Sequence, residues 1–519
     1  MKKLLDKLFL SPTPETQKAL IISFIIINFA FLYHTLNFMW GNHDVKFIKE
    51  ELLLSSGLFE GRFTQFIPYR LLTNGQILPI INNLIGTCFI TLALYILAKY
   101  WQLPQTTLNY TLFITFFITE PYILSWLYFT FITISCLCWT FFAILGLYLS
   151  SLIPSSSQKI PLTIASIICF YLPLGGYPPI INTFFVCLSA KMLIDVLFHS
   201  QDIKQLLHSY KYTVLNILIA AVLFKITLHF IPKNDVYNLE TTPLNELPQK
   251  FISTIKIAFN QFFIAVPFME KGYKITLALM SFTAIIGCFT TKNSKKTKLT
   301  LLLLIFSTIW LTSLTTFLVV PATQYVSRID FYGFGFLYAF FLLLLLKLKP
   351  KIYESIGVIF AFLLIYQNIL NIYHALHVWQ QGFQQEMEIL DNITERIESH
   401  PRFNPNQKYR FYQAGDISLR PTYYDKNFDV DDVFLHSLPY LAMWQGENLI
   451  QFYSPYKYIS TPSFILPSDI TKDVLDFINH KASPWPSPNS IYVNNEIIII
   501  FLNHYGLHEF KTKLKELFN

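Results

Sequence analysis

The chain has 519 residues, of which 53% are hydrophobic and only 14% charged, and its formal net charge is +7. Soluble domains carry about 25% charged residues, so this composition excludes a freely soluble enzyme and calls for a bilayer to solvate much of the surface. The positive charge is not a nucleic-acid footprint, because the lysines sit in short clusters between apolar stretches, where membrane topology puts them.

Crossing the hydrocarbon core takes about 20 apolar residues. In chain order, the stretches 19–38, 77–98, 106–121, 124–150, 160–174, 178–198, 213–231, 273–290, 299–320, 333–346 and 351–373 read as eleven spans. The first is a full span with no small-residue cleavage site after it, which is unlike a removable signal. Pro121 and the Pro178–Pro179 pair interrupt the pattern. Such breaks are tolerated only where protein or a water-filled cavity covers the freed backbone groups.

With the N-terminus inside, Lys99, Lys159, Lys204, Lys211, the run KNSKKTK at 292–298 and KLKPK at 347–351 all fall on the inner side, as the positive-inside rule requires. The loops 39–76, 120–123, 175–179, 232–272 and 321–332 and everything after 373 are then outside. All seven arginines, among them Arg62, Arg70 and Arg328, lie in these outer segments. The predicted fold is mainly α: a polytopic transmembrane helix bundle over 1–373, followed by a small extracytoplasmic α/β domain over 374–519.

In the first outer loop, Val45, Ile48, Leu52 and Phe59 recur at helical spacing, which suits a helix lying along the interface. Gly57 would end or bend it, and Gly61–Arg62 follows as a turn. Residues 251–268 form a second candidate interfacial helix. Beyond Tyr373, 377–397 reads as an amphipathic helix, 408–412, 490–493 and 496–502 as strands, and 431–443, 468–480 and 507–518 as helices. The six cysteines all fall in hydrophobic stretches without metal or redox spacing, and read as buried thiols.

The outer segments hold the polar residues able to carry chemistry. Asp44, just past the first span, has the position of a general base held at the membrane surface; as a helix N-cap it would need no such role. His43 beside it is in place to hydrogen-bond a substrate, and Glu51 is a second carboxylate on the same loop. Glu120, in the apolar run TLFITFFITEPYILSWLYF, is costly unless it faces a cavity, or else it marks the outer end of the third span. Arg62, Arg70 and Arg328 offer the planar fork that binds phosphate in a bidentate way, although Asp330 is a simple ion-pair partner for Arg328. Tyr177, in the turn Gly175-Gly176-Tyr177-Pro178-Pro179, is placed to stack on a sugar ring, and aromatic residues are also common at the membrane interface. The sequence contains no Walker motif, no dinucleotide glycine motif and no His/Cys/Asp cluster at metal spacing.

Taken together, Asp44, Gly61-Arg62, the segment Pro121-Tyr122-Ile123-Leu124 with Tyr128-Phe129, Tyr177, Arg328 and the helix 380–391 resemble, in order and spacing, the type II O-antigen glucosyltransferases. These are multi-span membrane enzymes of the GT-C class, and the likeness spans roughly residues 20–400. It implies an inverting transferase that moves a sugar, usually glucose, from a polyprenyl-phosphate-linked donor onto a surface glycan such as O-antigen or lipopolysaccharide, at the periplasmic face of a bacterial inner membrane. No cofactor, nucleotide or obligatory metal is implied for that step. The chain departs from the family in two places. His43 stands where members often have a second acidic residue, and Phe129-Thr130 follow Tyr128 where members tend to carry an Asp. A flippase of polyprenyl-linked glycans would place charges in the middle of several spans, and here such charges are few. A glycan polymerase or ligase shares the chemistry with a different acceptor.

Overall fold

A computed structural model of the chain describes residues 11–37, 39, 41, 44, 52–127, 129–231, 245–264, 271–290, 295–318, 331–415, 450, 454, 456, 459–461 and 470–518. The chain divides into two compact units. The larger is built mainly from residues up to 374, and the smaller mainly from residues after 375, together with Met39, Gly41 and Asp44.

The larger unit is helical. Its elements are α1 (Pro14–Ala30), α2 (Pro79–Tyr100), α3 (Thr107–Thr119), α4 (Thr130–Leu152), α5 (Lys159–Gly176), α6 (Ile181–His199), α7 (Ile203–Phe230), α8 (Leu247–Ile264), α9 (Lys271–Thr290), α10 (Lys295–Leu311), α11 (Phe336–Lys347) and the first part of α12 (Ile352–Glu398). Local chemistry starts several of them. Pro14 and Pro79 occupy first-turn positions that need no N–H. Thr13 and Thr106 cap α1 and α3 through their hydroxyls, and Asp202 with Gln205 forms a capping box on α7.

Each of the eleven apolar stretches carries a helix, but among the described residues only seven helices are long and apolar enough to cross a membrane. Of the others, α1 and α10 have 17 residues each, α3 has 13 and α11 has 12. The shortening has local causes: α3 stops at Glu120-Pro121, and α11 is preceded by a single π-turn, Phe331–Gly335. In the centre, α2 packs along α4 and α4 along α5. The peripheral α7 instead exposes Leu215, Leu218, Val222 and Ile226, a face that suits hydrocarbon.

The expected helix 251–268 appears as α8, whose Phe251 and Phe259 rings meet Trp310 and Phe306 of α10 at 5.0 and 5.2 Å. The last span and the amphipathic helix beyond it are one continuous helix of 47 residues, α12, about 70 Å long at 1.5 Å per residue. Neither Gly nor Pro lies between Ile372 and Trp379 to separate them. No disulfide joins any of the six cysteines; five are buried and Cys88 is exposed.

The smaller unit contains a four-stranded sheet in the order β2-β1-β4-β3, with β1 (Tyr409–Ala414), β2 (Ile459–Thr461), β3 (Ile491–Val493) and β4 (Ile497–Phe501). β1 runs parallel to β2 and β4, with Arg410 opposite Ile497, while β3 and β4 form an antiparallel hairpin. Asn494 makes the hairpin turn by accepting from the N–H groups of Glu496 and Ile497, both at 2.8 Å. The helix expected at 468–480 appears as Lys472–Asp476 continued by a π-turn, and the last helix, α13, covers His504–Phe518. The helix expected at 431–443 lies outside the described residues. Ile497, Ile499 and Phe501 pack with Tyr412, Val474 and Phe510 in one core.

Ile499 is fully buried there. Ile499→Ala is expected to cost about 2–5 kcal/mol and to speed hydrogen exchange across β1 and β4, while exchange in α2 and α4 stays unchanged.

Candidate functional site

Several helix breaks of the larger unit gather at one end. α3 stops at Glu120, and Pro121–Ile123 continues as a 3-10 turn. α5 ends at Gly176, and Pro178–Ile180 leads into α6. The turn after α10 and the π-turn before α11 join them. Neighbouring side chains satisfy the backbone groups that these breaks release. Asn182 Nδ2 donates to the Thr312 carbonyl, and its Oδ1 accepts from the Thr315 N–H, both at 2.8 Å. Thr183 donates to the Tyr332 carbonyl at 3.0 Å, and Thr64 to the Leu172 carbonyl at 2.6 Å.

Glu120 sits in this junction, 1% exposed. Neither carboxylate oxygen has a hydrogen-bond partner among the described residues. Its surroundings are largely apolar: Phe117, one turn earlier, contacts the Phe336 ring at 4.6 Å and the Phe331 ring at 5.6 Å. Gly335 leaves room for the carboxylate, since a Cβ there would lie 2.9 Å from Oε2. Asn368 of α12, fully buried, reaches Thr119 beside it at 3.4 Å, and the Tyr273 side chain is within electrostatic range. An unpaired buried polar group costs about 1–3 kcal/mol even when neutral, and more when charged. A fold that keeps one at a helix break carries a cost that packing alone does not explain.

Next to Glu120 is an aromatic group. The Trp126 ring lies 5.2 Å from Tyr177, 5.6 Å from Tyr332 and 6.3 Å from Phe331. Tyr177 and Tyr332 are 5.6 Å apart. Trp126 is fully buried, and its Nε1 has no hydrogen-bond partner among the described residues. Arg62, with about a third of its side chain exposed, tops the group: its guanidinium lies 5.5 Å from the Tyr177 ring and pairs with Glu60 at 3.0 Å. A tight turn holds it there. Leu58–Glu60 is flanked by Gly57 at φ +82 and Gly61 at φ +70, conformations that only glycine adopts without strain. A cation stacked on a ring, followed inward by aromatic faces and a carboxylate, can bind an anionic group at the rim and hydroxyls beneath it.

Of the residues singled out by the sequence, Arg62, Tyr177 and Glu120 therefore come to one end of the larger unit. Arg70 lies on the short helix Ile67–Thr73, and its Nη1 donates to the Asn74 carbonyl at 3.1 Å, at the end of that helix. Asp44 is buried and belongs to the smaller unit. Its Oδ2 accepts from the Gly41 N–H at 2.8 Å, and its own N–H donates to the Gly41 carbonyl at 3.3 Å, so its carboxylate satisfies a nearby backbone group. His43, Glu51 and Arg328 lie outside the described residues. Trp126, Tyr332, Gly335 and Asn368 were not read from the sequence as site residues. The signal for Trp126 was its place just past the Pro121 break; Asn368 and Gly335 carried none, because their role arises from contact with a distant helix.

A family model described as Glucosyl transferase GtrII matches residues 52–344, a span that holds Arg62, Glu120, Trp126, Tyr177 and Gly335. No curated protein and no solved structure matches the chain.

The Gly335–Glu120 contact has a testable consequence. Gly335→Ala is expected to destabilise the bundle by about 1–3 kcal/mol, and Glu120→Ala in the same chain to recover most of that loss, because the added methyl then has no carboxylate to displace. Thermal unfolding of the two single variants and the double variant measures the coupling.

Proposed function

The chain belongs to the glucosyl transferase GtrII family, a membrane-helix glucosyltransferase, and from that premise we propose that its donor is a polyprenyl-phosphate-linked glucose and its acceptor a cell-surface glycan such as O-antigen or lipopolysaccharide. The reaction takes place at the periplasmic face of a bacterial inner membrane. The observation that carries this reading is the buried carboxylate of Glu120, without a hydrogen-bond partner among the described residues, at the end of the bundle that also holds the aromatic group and Arg62.

In the proposed step the acceptor hydroxyl oxygen attacks the anomeric carbon from the face opposite the phosphate. The anomeric carbon–oxygen bond breaks, its electron pair leaves on the lipid phosphate, and the hydroxyl proton passes to a carboxylate, so the configuration inverts. Arg62 and Arg328 hold the phosphate as its charge grows, with Arg70 assisting. Glu120 orients the acceptor by accepting hydrogen bonds from its hydroxyls, and Tyr177 lies against a sugar ring. Asp44 is the general base, with Glu51 as a second carboxylate and His43 as a hydrogen-bonding neighbour on the same loop. The donor's prenyl chain remains in the bilayer, so no cofactor is needed to bring the sugar.

The test uses full-length protein in lipid nanodiscs with polyprenyl-phosphate glucose and a glycan acceptor, with a nucleotide sugar as the control donor. Transfer is expected from the lipid donor alone. Glu120→Gln is expected to lower kcat about a hundredfold, the scale of a misplaced reactant, and Asp44→Asn by about 10²–10⁴, the range of a lost general base. Arg62→Lys is expected mainly to raise KM for the donor, since the stacked fork is lost. Transfer from the nucleotide sugar, or full activity in Asp44→Asn and Glu120→Gln alike, would count against the reading.

A further inference from the structure

At the opposite, lysine-rich end of the bundle lies a second buried polar cluster, which the proposed transfer does not use. Lys191 and Asp195, one turn apart on α6 and 7% and 5% exposed, pair at 2.5 Å. The Tyr210 hydroxyl of α7 donates to the other oxygen of Asp195, and His199 stands 4.0 Å from the first. Lys347, at the end of α11, brings a second ammonium. It donates to the Gln102 and Trp101 carbonyls at 3.0 and 3.4 Å, lies 4.8 Å from the Phe198 ring, and is within electrostatic range of both Lys191 and Asp195. Tyr100, 2% exposed and within range of Asp195, has a hydroxyl with no hydrogen-bond partner among the described residues.

The charges do not balance: two ammonium groups face one carboxylate. Asp195 already pairs with Lys191, so Lys347 brings a partly buried ammonium that has carbonyl partners but no carboxylate of its own among the described residues. The cluster is also reachable, since Lys347 is only partly buried and His199 exposes 47% of its side chain. It lies at the ends of helices that carry apolar residues outward: Ile203 and Leu207 of α7, in the turns before Tyr210, are 47% and 65% exposed. A ligand bound there would place an anion on the lysines and hydrocarbon along α7. We propose that this cluster binds the phosphate group of an anionic phospholipid, held by Lys347 and Lys191, with Tyr100 as a further donor. Basic pockets between helix ends are a known way for membrane proteins to hold such headgroups. The proposal stands apart from the sugar-transfer reading, because it uses other residues at the other end of the bundle.

The test is lipid-dependent thermal unfolding and native mass spectrometry of the full-length protein, with phosphatidylglycerol, phosphatidylcholine or inorganic phosphate added. Phosphatidylglycerol is expected to raise the melting temperature and to stay bound, while phosphatidylcholine does neither. Inorganic phosphate that reproduces the rise would identify the phosphate group as sufficient; a rise with phosphatidylglycerol alone would show that the acyl chains are needed. Lys347→Gln is expected to weaken phosphatidylglycerol binding about tenfold, the scale of one charge-assisted hydrogen bond, and Lys347→Arg to restore much of it. The decisive variant is Asp195→Asn. It removes the competing negative charge, so it should bind phosphatidylglycerol more tightly than the natural chain even while its basal stability falls. Equal effects of the two lipids on the natural chain, or lipid binding in Asp195→Asn that weakens in step with stability, would overturn the proposal. If Asp195→Asn does not fold, the contrast between Lys347→Gln and Lys347→Arg decides, and unchanged binding in Lys347→Gln would overturn it.

Discussion

Backbone groups released where a helix breaks cannot be left facing hydrocarbon, and the larger unit is arranged around that constraint. Its breaks at Glu120-Pro121, Gly176–Pro179, Thr312–Ser313 and Phe331–Gly335 all occur at one end, where each covers another. Asn182 and Thr183, at the start of α6, serve the strand of chain after α10 and the π-turn. Thr64, from the loop between α1 and α2, serves the end of α5. Because these hydrogen bonds come from side chains, the junction is a polar network inside an apolar bundle. The same geometry that closes the backbone gives Arg62, Tyr177, Trp126 and Glu120 fixed positions.

This arrangement divides the labour between the two ends of the bundle. At one end, aromatic faces and a buried carboxylate accompany the partly exposed guanidinium of Arg62. At the other, lysines end the helices and meet carbonyls, rings and Asp195. Among the described residues of the larger unit, Arg62 and Arg70 both lie toward the broken end, while lysines occur toward both ends, Lys347 at one and Lys271, just before Tyr273, at the other. The physical difference between the side chains suits the two settings of Arg62 and Lys347: a planar fork stacks and binds in a bidentate way, whereas an ammonium caps helix ends as a point charge.

Much of this could be read before any coordinates. Hydrophobic length located eleven of the helices and the interfacial pattern located α8, and the alternation of the helices brings the loops after α2 and α11 to one end and those before α2 and after α5 to the other. Thus Lys347 meets Gln102, and Arg62 meets Tyr177. Gly57 and Gly61 marked the turn that carries Arg62, because positive φ restricts the choice of residue so sharply. Glu120 stood out because a carboxylate in so apolar a run demands a reason. What was not legible depends on contact between distant segments: Gly335 beneath Glu120, Asn368 beside Thr119, and the ring group around Trp126. Helix periodicity reports which residues are apolar, not which helix they face. The short strand β2, three residues among prolines and serines, has too little pattern to be read, and it forms because β1 offers it an edge. Likewise α12 looked like two helices only because its composition changes near Tyr373, while its backbone has no breaking residue there.

The central claim is that sugar moves at the end of the bundle where the helices break. The most direct test is photo-crosslinking of full-length protein in nanodiscs with a polyprenyl-phosphate glucose that carries a diazirine on the sugar, followed by peptide mapping. Labelled peptides should fall at 120–129, 175–181 and 331–336, and excess unlabelled donor should abolish the labelling. Labelling confined to the lysine-rich end, around 99–103 and 195–211, would contradict the account.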